Sequence, residues 1–258
     1  MTPVRRPEPI STRCPLPVRR PVMLQGWHSL ASVHWRYDPA VVQSLLPDGL
    51  VVDTFDGDAW VGLIPFDMRR IRIPGCPSLG GWSTFPETNV RTYVVDPDGR
   101  RAVWFFSLDI SRVVPAVVAR ASYGLPYCWS SMSITRHGSD IIEYTTRRRW
   151  PRPSSGSGHS PGDSGSSRIV VEIGDPIAED DLSGLERFVT ARWALASTFA
   201  GHLVRAQVDH PPWTVHRTRI LRCEDTLVTA AGLPAPTGDP LVLWSPGVEV
   251  RIARPVWS

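Results

Sequence analysis

Residues 85–109 read FPETNVRTYVVDPDGRRAVWFFSLD, and the fold turns on how this stretch is punctuated. Asp96-Pro97-Asp98-Gly99 separates two runs rich in β-branched and aromatic residues, Asn89–Val95 and Ala102–Leu108. Proline in the first central position and glycine at the fourth suit a type I turn with a bulge, so the stretch predicts an antiparallel hairpin. In a strand, residues two apart share a face. Glu87, Asn89, Arg91 and Tyr93 therefore lie on one side, and Val90, Thr92 and Val94 on the other. Two readings of the polar face stay open. Facing water, it belongs to an ordinary amphipathic strand. Facing a barrel interior lined with Trp60, Trp104 and Phe106, it is a pocket wall carrying a charged pair.

Outward from this hairpin, strands dominate. Upstream, Leu30–Tyr37 reads as a strand. A helix follows, with Asp38 as its cap, Pro39 at its first position and Val41, Val42, Leu45 and Leu46 as its apolar stripe. Leu50–Phe55 and Ala59–Met68 form a hairpin about Asp56-Gly57. Downstream, residues 110–122 read as a helix capped by Ser111. Residues 141–150 and 168–174 read as strands flanking PRPSSGSGHSPGDSGSS (151–167), which is too polar to order itself and reads as a flexible loop. Ser183 and Glu186 form a capping box that opens a helix running through Phe199 to Gly201, its buried face Leu185, Phe188, Val189, Ala196 and Phe199. A strand near 214–222 and a hairpin of Leu241–Trp244 with Val248–Ala253, around Ser-Pro-Gly, close the chain. The expectation is an α+β fold with a large, curved, barrel-like antiparallel sheet and few helices. One domain spans residues 23–258, behind a disordered lead-in at 1–22.

Composition removes several function classes. Among 258 residues all 28 basic side chains are arginine; there is no lysine. An imine with a carbonyl substrate needs an amine that can lose its proton; arginine stays protonated, which leaves only the N-terminal amine, on a Pro/Arg-rich tail. The net charge of +3 is mild. The basic runs Arg147–Arg149 and Arg69, Arg70 and Arg72 read as strand surface, and no nucleic-acid-binding module accompanies them. No window approaches the roughly 18 apolar residues of a membrane span. The four cysteines have no CxxC spacing, and with no signal peptide the expected location is the cytoplasm with reduced thiols. His34, His202, His210 and His216 lack metal-ligand spacing, and no glycine-rich phosphate loop follows a strand. Neither a metal nor a cofactor is expected. Cys128 reads as a small buried hydrophobe, Asp109 as a cap or loop hydrogen-bond acceptor, and Asp209-His210-Pro211 as a rigid turn.

The segments HWRYDPAVVQSLLPDGL, DAWVGLIPFDMRRIR, FPETNVRTYVV, VWFFSLD, YGLPY, VDHPPW and SPGVEVRIARP, in this order between Leu24 and Pro255, resemble an uncharacterised bacterial family of acetoacetate-decarboxylase-like proteins. The resemblance implies a curved antiparallel sheet around a central pocket, with the pocket as active site. It also implies a Schiff-base lysine just after a proline, with a second lysine beside it; Pro126-Tyr127-Cys128 stands there instead. It implies an arginine at Arg36 and a pocket glutamate at Glu87. A second pocket acid would fall near Gly62 or Leu63 and is absent. The candidate catalytic residues are therefore Glu87 and Arg36, with Arg91, Asn89, Tyr93, Trp104 and Tyr127 as candidate substrate-binding residues. The expected partner is a small molecule, with no nucleic acid and no membrane, and homo-oligomerisation is left open. The chemistry is either imine-free lyase, isomerase or hydratase turnover of a carboxylate or keto compound, or binding of a hydrophobic metabolite without turnover.

Overall fold

A computed structural model describes residues 6–78, 80–112, 125–150 and 165–257. Fourteen strands form one sheet among them. They are β1 (Met23–Tyr37), β2 (Val51–Val52), β3 (Thr54–Phe55), β4 (Asp58–Arg72), β5 (Phe85–Val95), β6 (Arg101–Ile110), β7 (Tyr127–His137), β8 (Ile141–Trp150), β9 (Ser166–Ile177), β10 (Ala194–Phe199), β11 (His202–Asp209), β12 (Val215–Asp225), β13 (Leu241–Ile252) and β14 (Val256–Trp257). Three short helices accompany them: α1 (Pro39–Gln43), α2 (Gly184–Thr190) and α3 (Leu227–Ala230).

The sheet closes on itself twice. One ring runs β5-β6-β10-β11-β13-β1-β4 and back to β5. The larger ring leaves β6 by β7 and returns through β8, β9 and β12 to β13. Strands β13, β1, β4, β5 and β6 are common to both. The larger ring is filled with side chains, among them Val33, Leu63, Val90, Tyr144, Ile169 and Val171. The smaller ring encloses a cavity.

Local chemistry accounts for the central hairpin. Asp96 Oδ1 accepts from the amides of Asp98 and Arg100, both at 2.9 Å, and Gly99 N donates to Asp96 O at 2.9 Å. Gly99 takes φ 83°, the left-handed conformation that glycine adopts without steric cost. Asp38 caps α1 as expected, its Oδ1 accepting from Ala40 N at 2.8 Å.

Several expectations are corrected. The capping box of Ser183 and Glu186 is present. The helix it opens ends at Thr190, however, and residues 194–199 are β10, hydrogen-bonded to β11 around Ala200 and Gly201. Short apolar runs do not distinguish helix from buried strand by periodicity, and pairing with β11 decides this one. The closing hairpin is instead one continuous strand, β13, bent at Ser245-Pro246-Gly247 and paired along β1. Arg148 does not point to water. It is buried in an ion pair with Asp109 at 2.7 Å. The described part of the lead-in is tied down: Val18 N donates to Asp209 Oδ2 at 2.9 Å and Trp193 Nε1 to Ser11 O at 2.8 Å. Both segments read as strands about the 151–167 loop are strands, β8 and β9, and they pair antiparallel. The helix expected at 110–122 and the loop at 151–167 lie mostly outside the described residues, at 113–124 and 151–164.

Candidate functional site

The cavity inside the smaller ring has a volume of about 160 Å³. For scale, an apolar cavity of about 150 Å³ holds a benzene molecule. Trp27, Leu30, Phe66, Met68, Phe105 and Leu108 supply much of its apolar lining. The polar strip comes from β5, where Glu87, Asn89 and Arg91 all face inward, and Tyr127 joins them from β7. Period-2 geometry puts the three β5 side chains on one face; closure of the ring makes that face an interior one.

Burial sets the protonation of Glu87. Only 4% of this residue is exposed. Desolvation raises its pKa from 4.5 to about 8, with a further push from the charge of Asp109 and opposition from a hydrogen bond to the Asn89 side chain. Arg91 does not counter the shift. Four residues along a strand separate the two backbones by about 13 Å, with Asn89 between. The charged pair expected from the sequence is thus two ends of a polar strip. At pH 7 the shift of Glu87 favours the neutral carboxylic acid. Tyr127 is raised well above its usual range, first by burial and then by Glu87.

Three buried polar atoms along the strip have no hydrogen-bond partner among the described residues: Glu87 Oε2, Asn89 Oδ1 and Arg91 Nε. Nor does any described carboxylate lie within ion-pair distance of Arg91. Its guanidinium carbon sits 5.8 Å from the Tyr93 ring centroid, a cation–π placement that holds the head without neutralising it. Unsatisfied polar groups in an apolar wall are costly, and a ligand that pairs with them offsets that cost. The strip can therefore receive an anion at Arg91 and donate a proton or hydrogen bond from Glu87. Among the described residues no three His, Cys, Asp or Glu side chains gather as a metal site.

Of the other candidates, three stand elsewhere. Arg36 is on the outer surface, its side chain 71% exposed and 3.8 Å from Asp58. It does not share the cavity with Glu87, because β1 turns Trp35 and Tyr37 inward and leaves residue 36 outside. Tyr93 shares the face of Arg91 but lies beyond the cavity. It packs on Phe188, donates to Val189 O at 2.9 Å and accepts from His34 Nε2 at 2.6 Å. Trp104 faces the opposite way from the cavity. Val90 pairs with Ser107 but Arg91 with Phe105, so Phe106 is an extra residue in the ladder. That bulge reverses the alternation of β6 and sends Phe105 inward instead of Trp104 and Phe106. Sequence reasoning also missed Trp27 and Gln25, which line the cavity from β1 upstream of the strand read there. Cys128, one residue past Tyr127, is buried and hydrogen-bonds Pro126 O through Sγ.

Comparisons with known proteins agree with this architecture. The chain is 29% identical over 229 residues to the uncharacterised protein YqjF of Bacillus subtilis (strain 168), covering 89% of each chain. Its fold is similar to an acetoacetate decarboxylase-like enzyme from Sphingomonas wittichii RW1, with a TM-score of 0.61 at 14% identity, covering 92% of both chains. It is also similar to the enduracididine biosynthesis enzyme MppR solved with pyruvate, with a TM-score of 0.56 at 16% identity, covering 94% of this chain and 91% of that one. Residues 24–249 match the model of DUF2071, a family described as uncharacterised conserved proteins, and the chain belongs to that family.

Proposed function

We propose that the cavity binds a small carboxylate or keto compound and transfers a proton to it without forming an imine. The observation that carries this reading is Glu87, buried with an unpartnered carboxyl oxygen in an apolar cavity on the same strip as an arginine that has no carboxylate partner among the described residues. In this reading Arg91 binds the carboxylate. Glu87 acts as general acid, and Tyr127 donates a hydrogen bond to a carbonyl oxygen. A carboxyl with a pKa of about 8 is near the value that serves acid–base catalysis at neutral pH. Lyase, isomerase and hydratase steps all fit such an acid. The pyruvate bound by MppR is in keeping with the expected ligand size and charge.

A panel of 2-oxo, 3-oxo and unsaturated acids in D2O, followed by proton NMR, tests the proposal. Exchange or turnover should occur with at least one class and decline above about pH 8, as Glu87 loses its proton. Glu87→Gln should lower the rate by 10²-fold or more, the usual scale for a positioned acid or base, with the fold intact. Exchange equally fast in Glu87→Gln would sink the catalytic reading.

The almost wholly apolar remainder of the lining and the absence of any lysine favour a second reading, ligand binding without turnover. Saturable binding of panel members with no exchange in the unaltered chain would select it.

A further inference from the structure

Among the described residues the smaller ring has a gap in its wall. Strand β6 pairs in parallel with β10 at Val103 and Trp104, and with β7 from Leu108 to Ile110. Between these joints Phe105, Phe106 and Ser107 have no strand partner on that edge among the described residues. The bulge at Phe106 falls in the same place. As β10 and β7 diverge, a cleft opens between them with β6 at its base.

A second, more open cavity of about 280 Å³ occupies this cleft. Leu45, Trp104, Phe106, Pro126, Ala196 and Thr198 line it. Phe105, Leu125 and Ser197 line both cavities, so the two meet there. The register fixes where along the polar strip they meet. Phe105 lies directly across from Arg91 in the β5–β6 ladder, whereas Glu87 lies across from Ile110. A group passing through the fork therefore departs from the arginine end of the strip.

We propose that the fork is a second subsite, and that the ligand is a carboxylic acid with a bulky apolar substituent close to its carboxylate. The carboxylate sits at Arg91, one arm runs along the strip toward Glu87, and the substituent lies in the fork against Trp104 and Pro126. This inference rests on the carboxylate reading of the inner cavity and adds a substrate class to it.

Calorimetric titration with butyrate, 2-benzylbutyrate and 4-phenylbutyrate tests it. All three carry one carboxylate; only the second places its ring next to that carboxylate. 2-Benzylbutyrate should bind at least tenfold more tightly than butyrate and more tightly than 4-phenylbutyrate. Thr198→Trp, at a position that lines the fork but not the inner cavity, should erase that gain with butyrate binding unchanged. Leu45→Trp, at a partly exposed position on the far side of the cleft, provides a second block should the first variant misfold. A gain that is absent, or that survives both blocks, overturns the fork subsite. If butyrate still requires Arg91, as lost binding in Arg91→Leu would reveal, the carboxylate reading stands alone. If no carboxylate binds, or Arg91→Leu binds all three as tightly as the unaltered chain, that reading fails and this one with it.

Discussion

The carboxyl of Glu87 stays protonated in the folded chain up to about pH 8, against an ordinary value of 4.5. Between those values the folded chain keeps a proton that the unfolded chain has released. Stability therefore falls as pH rises through this window and levels off above it. A tenfold difference in proton affinity between folded and unfolded chain is worth about 1.4 kcal/mol, so the loss amounts to a few kcal/mol. Glu87→Gln cannot ionise and should lack this slope. The variant should melt several degrees above the unaltered chain at pH 9 and close to it at pH 5. Equal differences at both pH values would mean that the carboxyl is not held neutral. That Glu87, Asn89 and Arg91 share a face was legible in the sequence, because two-residue alternation is a property of any strand. The protonation was not, because it depends on how β4, β6 and β7 bury the strip. The misplacement of Arg36 has a simpler cause. A motif position suggested the pocket, while the alternation Trp35-Arg36-Tyr37, with its two aromatics inside, already pointed that arginine outward.

At the scale of elements, turns were readable and irregularities were not. The hairpin at Asp96–Gly99 follows from residues with strong local preferences, and it forms where they place it. The bulge at Phe106 has no such signature: Trp-Phe-Phe reads equally well in either parity, and only the ladder to β5 shows which residue is extra. Ser245-Pro246-Gly247 looks like a turn but is a bend within β13, where the strand crosses β1 closely. Gly247 takes φ 124°, and a Cβ there would overlap the Trp27 carbonyl oxygen and lie 2.6 Å from His28 Cα. Both obstacles are backbone and cannot rotate away. Gly247→Ala should therefore cost roughly 2 kcal/mol or more, lowering the melting temperature by about 4 °C or more on the scale for chains of this size. Unchanged melting would show that the two strands cross with room to spare. Because Trp27 lines the cavity, the same substitution should also weaken ligand binding.

At the scale of the molecule, the antiparallel barrel character was legible from the density of strands, but the double closure was not. Composition alone did not reveal how the described part of the N-terminal arm is held. Its prolines and arginines suggested disorder, yet Val18 is buried, Glu8 N donates to Gly99 O at 2.8 Å and Arg101 N donates to Glu8 Oε1 at 2.9 Å. Backbone groups here find partners on β11 and on the β5–β6 turn, which no local pattern announces. Each such bond contributes about 1 kcal/mol net. Removing residues 1–21 should therefore lower the melting temperature by about 5 °C or more; no change would return the arm to a passive tail. Both rings also pass through the seam between β1, at residues 23–37, and β13, at residues 241–252. Roughly 200 residues separate the two strands in sequence, and pairing across so long a separation is slow. Until that seam forms, the polar strip of β5 lies open to water and Glu87 titrates as an ordinary carboxylate. The acid and the chamber that tunes it thus come into being together, when β13 docks along β1.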